Sequence, residues 1–457
     1  MTEYDVIVLG AGPVGENAAD YAHRTGLSVA LVEAERVGGE CSYWACIPSK
    51  ALLRTPMAVA AARRLPGVTA EYDPKEVFAR RDYFTSRGDD SAQAEWVSSA
   101  GITLVRGWGR ITGEKTVQVG DQELRARHAV VLATGSVPVR PPIPGLDEVR
   151  TWGSREATSA EAAPRRLGVL GGGVVGCELA QAYARLGSRV TMLVRGTLLP
   201  SVEPIAGERV VEALRAEGVG VRLGAGLDAV APAGDAIALT VGDETIEVDE
   251  LLLATGRKPN SADIGVDVLG LTPGDAVSID DSGLALGDWL YAVGDVTGRA
   301  PLTHMGKYQA RIAGAAIAAR AAGSPLDTAP WGEHSATADH AAVPQVIFTD
   351  PEVAHVGRTA AQAREAGVAV REVSIDIAVA GSSLEADGYT GTAILVVDTD
   401  REVLVGATFV GQDVGELLHS ATVAVVGEVP LSRLWHAVPS FPTISEVWLR
   451  LLEAYRS

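Results

Sequence analysis

Two glycine fingerprints constrain this chain more than anything else in it. Gly10-Ala11-Gly12-Pro13-Val14-Gly15 follows an apolar run, Tyr4 to Leu9, and opens a helical stretch from Glu16 to Gly26. Gly171-Gly172-Gly173-Val174-Val175-Gly176 follows Leu167 to Leu170, opens a helical stretch from Cys177 to Leu186, and is followed by a strand from Arg189 to Val194. In such a turn the first glycine permits the sharp bend and the second lets a pyrophosphate approach the backbone. The third allows close helix packing, and the helix N-terminus offers amide donors. One fingerprint is weak evidence; two, each between a strand and a helix, predict two dinucleotide sites. The second strand of the first unit, Ser28 to Val32, ends at Glu33, an acid suited to a ribose hydroxyl.

Other segments fit this frame. Val130 to Ser136 and Leu251 to Arg257 are apolar strands running into Thr134-Gly135 and Thr255-Gly256, each closing one nucleotide-binding unit. Proline-rich Val137 to Pro144 reads as a linker out of the first unit. Asp288 to Asp295 reads as a strand ending in Gly-Asp, where Asp295 can accept hydrogen bonds from flavin ribityl hydroxyls. From about Trp331, β-rich runs (Val343 to Phe348, Ala393 to Val397, Val403 to Val410) alternate with helical patterns, as in a separate α+β domain. The Ala-rich Arg311 to Ala322 reads as a packed helix. The expected fold class is α/β, with two Rossmann-like dinucleotide-binding domains and a C-terminal α+β domain.

Just after the first unit comes Gly38-Gly39-Glu40-Cys41-Ser42-Tyr43-Trp44-Ala45-Cys46-Ile47-Pro48-Ser49-Lys50. Two cysteines four residues apart, downstream of a dinucleotide fingerprint, point to a flavin beside a redox-active disulfide; two structural cysteines are the plainer alternative. Three cysteines in 457 residues are too few for a disulfide-stapled secreted scaffold. Cys177 reads as a small buried residue. The net charge of -19 opposes a nucleic-acid or anionic-membrane partner. No apolar run is long enough to span a bilayer, and no signal peptide precedes the first strand, so a soluble cytoplasmic protein is expected. No metal site is expected.

With Ala254 to Asn260, Ala292 to Asp295, and Phe348 to Ala354, these motifs resemble the class I pyridine nucleotide–disulfide oxidoreductases over nearly the whole chain. That family includes glutathione reductase, dihydrolipoamide dehydrogenase, mycothione reductase and mercuric reductase. The resemblance implies FAD, NADPH or NADH, and a homodimer in which the partner's C-terminal segment completes the active site. It implies an FAD-binding domain over 1–148, an NAD(P)-binding domain over 149–258, a central domain over 259–332 that completes the FAD site, and an interface (dimerisation) domain over 333–457. The cofactor-binding residues it implies are Gly10, Gly12, Gly15, Glu33, Gly39, Thr134, Gly135, Gly171, Gly173, Gly176, Arg195, Gly256 and Asp295. The catalytic residues are Cys41, Cys46, Lys50, Glu178 and Glu446. By resemblance Cys46 is the thiol nearest the flavin and Cys41 the interchange thiol, with a nearby cation lowering both pKa values. Lys50 matches the lysine that approaches the flavin N5, and Glu178 its salt-bridge partner. The resemblance further implies that hydride enters the flavin and passes as two electrons to the disulfide.

The chain also departs from the family. At the end of Val190 to Val194 the usual acid is replaced by Val194, and Arg195 follows, favouring the 2′-phosphate of NADPH. The second arginine of glutathione reductase is absent, with Ser201 in its place, and a solvated Arg195 is the plainer reading. Thiol-forming members place a histidine five residues before the final glutamate; here Glu446 is kept and Phe441 stands in that position. His436, across Pro439, reads as a structural or surface residue. Tyr43 and Trp44, with Phe441, predict an aromatic substrate side that lacks the usual base. The expected function is electron transfer from NAD(P)H through FAD to a small, quinone-like acceptor. The alternatives are a disulfide reductase of a low-molecular-weight thiol or lipoamide, and a redox-sensing flavoprotein with negligible turnover. Mercury reduction is disfavoured, because neither a C-terminal cysteine pair nor an N-terminal metal-binding extension is present.

Overall fold

The computed structural model describes residues 1–457 and contains two compact units, each assembled from three stretches of chain. The first collects Met1–Pro48, Asp82–Val139 and Arg257–Asp339. Its sheet runs in the order Leu284–Leu286, Leu290–Ala292, Gln122–Leu132, Thr2–Leu9, Val29–Glu33, Thr103–Arg106. Along this order every pairing from Leu290–Ala292 onward is parallel, while Gly109–Gly113 and Thr116–Val119 add an antiparallel branch on Gln122–Leu132. Parallel strands must be covered on both faces, which is why Val6 to Leu9, Val29 to Val32 and Ala129 to Leu132 are near-continuous apolar runs. On one face the Pro13–His23 and Thr303–Ala321 helices pack over Val6, Val8, Leu31 and Val131. On the other, Ile7, Leu9, Val130 and Leu132 pack with Ile111, Ile264 and Leu290.

The second unit collects Ser49–Arg81, Arg140–Gly256 and His340–Ser457. A parallel sheet in the order Gly220–Leu223, Arg189–Val194, Arg166–Leu170, Glu250–Leu253 carries the Val174–Arg185 and Pro204–Ala216 helices on one face. The antiparallel Ala229–Ala233, Ala236–Val241 and Glu244–Val248 strands cover the other. A five-stranded antiparallel sheet follows, in the order Pro344–Ile347, Glu352–Gly357, Val403–Gly411, Thr392–Asp398, Val370–Asp376.

The proline-rich linker expected after Ser136 is partly a strand. Ser136–Pro138 pairs antiparallel with Arg257–Pro259, both within the first unit. A two-stranded ribbon tolerates proline because each strand has an unpaired edge. No helix is long and apolar enough to cross a membrane.

Candidate active site

The first fingerprint is shaped by its own strand ends. Gly10 has φ +99°, and a Cβ there would stand 2.5 Å from the Ala133 carbonyl oxygen. A Cβ on Gly15 would clash with the Gly10 carbonyl. Gly12 differs: its φ of -68° suits any residue, and a Cβ would meet nothing within 4 Å. The glycine is therefore not required by the fold, and the space beside it is open to a ligand. Gly39, at φ +55°, packs so closely that a Cβ would lie 2.8 Å from the Gly12 Cα, seating the cysteine segment against the fingerprint.

Glu33, at its strand end, accepts the Ala11 amide on Oε2 and the Glu35 amide on Oε1, both at 2.7 Å. Thr134 Oγ1 donates to the Asn260 carbonyl at 2.7 Å, and the Asn260 amide donates to Gly135 at 3.0 Å. Asp295 accepts from Ser136 Oγ at 2.6 Å. Free helix-end amides, an open glycine and two carboxylates with acceptor capacity left over fit a flavin dinucleotide.

Cys41 lies in the Gly39–Tyr43 helix and Cys46 begins the Cys46–Arg63 helix. Both are half-buried. Thr303, the first residue of the Thr303–Ala321 helix, donates from Oγ1 to Cys41 Sγ at 3.4 Å. The same hydroxyl lies 3.4 Å from Cys46 Sγ. The hydrogen bond with Cys46 and burial push the Cys41 thiol well above its ordinary pKa, while Thr303 and Lys307 pull it back. Thr303 was not among the expected site residues; its only sequence signal is its place at a helix start shortly after Asp295.

Tyr43 and Trp44 do not form the aromatic substrate side predicted above. They are 6 % and 8 % exposed. Tyr43 donates its hydroxyl to Gln93 Oε1, and the Arg36 guanidinium lies 5.5 Å from the Tyr43 ring centroid and 4.9 Å from that of Trp44. Burial pushes the Tyr43 phenol up to about 12. These rings serve the core of the first unit.

In the second unit the glycine pattern repeats. Gly171, at φ +118°, is closed by the Ala254 carbonyl and Gly176 by that of Gly171, whereas a Cβ on Gly173 would meet nothing within 4 Å. Gly256 takes φ +111°. Arg195 is exposed, just past its strand, and has no ion-pair or hydrogen-bond partner. Cys177 is fully buried and donates to the Gly172 carbonyl at 3.5 Å; burial pushes its thiol up to about 12.

Lys50 Nζ lies 2.6 Å from Glu178 Oε2, 3.4 Å from Ser49 Oγ and 4.9 Å from the Phe348 ring centroid. Glu178 is 3 % exposed, and its Oε1 accepts the Phe348 amide at 3.0 Å. Glu446, in the short Ile444–Glu446 turn, is held on Oε1 by Arg450 at 2.8 Å, while its buried Oε2 has no partner. Phe441 is 73 % exposed. His436 is exposed and its side chain bonds to nothing, Glu446 included.

The model of the pyridine nucleotide-disulphide oxidoreductase family matches residues 4–322, and that of its dimerisation domain matches 343–451. The chain belongs to this family of oxidoreductases. It is an enzyme of a family that uses FAD and NAD(P)H. It is 29 % identical to a dihydrolipoyl dehydrogenase of Chlamydia pneumoniae over 460 residues, covering 98 % of this chain and 95 % of that protein. It is 31 % identical to a mercuric reductase of Acidithiobacillus ferrooxidans, covering 97 % and 81 %. Among solved structures, the HOCl-induced flavoprotein disulfide reductase RclA of Escherichia coli matches with a TM-score of 0.84 at 25 % identity, covering 98 % of this chain and 99 % of that one.

Proposed function

We propose that this oxidoreductase passes electrons from NADPH through FAD to the Cys41–Cys46 pair and on to a small acceptor, as a cytoplasmic homodimer with the four regions 1–148, 149–258, 259–332 and 333–457. The observation that carries the reading is the two thiols sharing one hydroxyl, Thr303 Oγ1, at 3.4 Å each. A pair so close alternates between dithiol and disulfide with little rearrangement.

Bound FAD supplies the acceptor for hydride and the donor for the disulfide. The protein's own residues bind and orient. Gly12 leaves room for the diphosphate, Glu33 takes ribose hydroxyls and Asp295 the ribityl chain. Arg195 pairs with the 2′-phosphate of NADPH. Lys50, ion-paired with Glu178, favours negative charge developing on a ring beside it. Thr303 holds the sulfurs and stabilises whichever is the thiolate.

The acceptor follows from Phe441. A phenyl ring cannot protonate a leaving thiolate, so a quinone-like acceptor, which takes its protons from water, is favoured. With Tyr43 and Trp44 buried, this rests on the missing base alone. A second reading, reduction of a small disulfide, is supported by the half-buried Cys41 thiol and by the names of the relatives. The test is NADPH-driven turnover with a naphthoquinone and with a panel of disulfides, in the native enzyme and in Cys41→Ser. Fast quinone turnover that depends on Cys41 supports the proposal. Quinone turnover that survives in Cys41→Ser means the pair is bypassed. Fast disulfide turnover, lost in Cys41→Ser, establishes the second reading instead.

A further inference from the structure

The loop 348–351 joins two strands of the five-stranded sheet and lies beyond their last paired residues, Ile347 and Val353. Thr349 and Asp350 are buried, so the peptide groups of this loop need partners that the sheet does not supply. One face of the Val174–Arg185 helix supplies them, from residues three and four positions apart. Glu178 Oε1 accepts the Phe348 amide at 3.0 Å. Gln181, 0 % exposed, clamps the next residue but one: its Oε1 accepts the Asp350 amide at 2.7 Å and its Nε2 donates to the Asp350 carbonyl at 2.9 Å. Gln181 Nε2 also donates to Glu217 Oε1 at 2.9 Å, which fixes the orientation of the side-chain amide. Arg185 and Arg64 then hold the Asp350 carboxylate.

The same loop touches Lys50. The Phe348 ring lies 4.9 Å from Lys50 Nζ, and the Phe348 amide occupies Glu178 Oε1, leaving Oε2 to Lys50 at 2.6 Å. We propose that Gln181 is a positioning residue for Lys50: by clamping Asp350 it sets the Phe348 amide and ring, which orient Glu178 and so hold the ammonium in place for hydride transfer to the flavin. This rests on the reading of Lys50 as the cation beside the flavin ring. Hydride carries two electrons and one proton from NADPH, which is oxidised, to the flavin, which is reduced, and the ring gains one negative charge. Lys50 faces that charge in a fixed geometry only if its own carboxylate partner is fixed.

Burying an amide is costly unless its hydrogen bonds are made, and both ends of Gln181 are satisfied. An apolar side chain in its place would leave the Asp350 amide and carbonyl unpaired, and the loop would move to find partners. Such a shift takes the amide from Glu178 and the ring from Lys50 at once, because both belong to Phe348. Little else pins the lysine. Its side chain is 36 % exposed, and its further hydrogen-bond partner is the neighbouring Ser49. Tyr183 offers a contrast on the same helix: it is as deeply buried as Gln181, and its hydroxyl donates to the Ala157 carbonyl instead.

The test compares the native holoenzyme with Gln181→Met, Lys50→Met, the double variant and Tyr183→Phe, and flavin absorbance verifies folding. Gln181→Met keeps the length of the side chain and removes both bonds to Asp350. Tyr183→Phe removes a buried hydrogen bond that leads elsewhere. The first readout is acetylation by limiting acetic anhydride, with the Lys50 peptide quantified by mass spectrometry. An ion-paired ammonium acylates more slowly than a free amine, so Lys50 should react about threefold faster in Gln181→Met and at the native rate in Tyr183→Phe. The second is the rate of flavin reduction on mixing with NADPH. Gln181→Met should slow it about threefold, and should slow it no further when added to Lys50→Met. Native-like acetylation of Lys50 in Gln181→Met would overturn the proposal. So would an equal change in Tyr183→Phe, or a slowing by Gln181→Met that persists undiminished without Lys50. If Gln181→Met does not fold, Gln181→Glu, which removes both donors and sets a carboxylate against Glu217, decides by the same acetylation: a native rate rejects the proposal and a faster one supports it. A Lys50→Met enzyme whose flavin is reduced as fast as the native one would refute the reading of Lys50 beside the flavin, while the acetylation rates still decide whether Gln181 holds the lysine.

Discussion

Lys50 Nζ lies 2.6 Å from Glu178 Oε2, although 128 residues separate them. The two are unequal partners. Glu178 is 3 % exposed and takes a second bond from the Phe348 amide, whereas the lysine side chain is 36 % exposed. Removing Lys50 therefore strands a buried carboxylate, while removing Glu178 leaves a lysine that can still reach water.

Lys50→Met should lower stability by about 1–3 kcal/mol, less than for a fully buried pair because water screens the lysine. Adding Glu178→Gln should recover part of that loss. Urea unfolding of the two variants and native protein measures this directly; equal losses in both would mean that the carboxylate was never dependent on the lysine.

The three fingerprint glycines should separate under substitution. Gly15→Ala drives a methyl into the Gly10 carbonyl and should yield little folded protein. Gly12→Ala meets no protein atom within 4 Å and has a permitted φ, so the chain should fold but lose FAD. Gly173→Ala should keep its flavin and lose affinity for NADPH. Flavin content per subunit and the KM for NADPH check these outcomes. A fully flavin-loaded Gly12→Ala would show that the open space is not the diphosphate site.

Thr303→Val keeps the shape of the side chain and removes the hydroxyl shared by both sulfurs. A hydrogen bond worth about 1 kcal/mol corresponds to about a fivefold loss of thiolate, so Cys41 alkylation at neutral pH should slow by about that factor. Thermal unfolding should hardly change. An unaltered alkylation rate would mean that the hydroxyl only fills space.

Much of this was legible in the sequence because local sterics wrote it there. Gly10, Gly15, Gly171 and Gly176 each face a carbonyl from their own nucleotide-binding unit, and that demand recurs wherever a strand, a tight turn and a helix meet. Lys50 and Glu178 were legible only through resemblance, since nothing in their spacing brings them together. Thr303 was missed because its contact with the thiols spans more than 250 residues, and no local pattern records such a pairing. Tyr43 and Trp44 were misread because aromatic residues between two cysteines look the same in sequence whether they face a substrate or, as here, Gln93 and Arg36.

Arg195 is exposed and has no partner within the protein, so replacing it should cost no stability. If it pairs with the 2′-phosphate, Arg195→Leu should raise the KM for NADPH about tenfold, or about 1.4 kcal/mol, and leave that for NADH unchanged. Equal changes for both coenzymes would reassign Arg195 to a general role in attracting anions.

The last prediction concerns the missing base. Glu446 keeps one oxygen on Arg450 and leaves Oε2 buried without a partner, an unusual and costly state for a carboxylate. Phe441, five residues earlier and 73 % exposed, is a position at which substitution disturbs little packing. Phe441→His restores the residue that thiol-forming members carry five residues before the final glutamate, an imidazole able to carry a proton to a leaving thiolate. General acid catalysis of this kind contributes about 100-fold or more, so disulfide turnover should rise by at least about tenfold even with imperfect alignment. The gain should follow a titration near the ordinary histidine pKa of about 6.5 and disappear on adding Glu446→Gln. Naphthoquinone turnover should not change, because that acceptor does not need the proton shuttle. A Phe441→His enzyme that folds, binds FAD and reduces disulfides no faster than the native protein would show that the absent histidine is not what limits thiol chemistry.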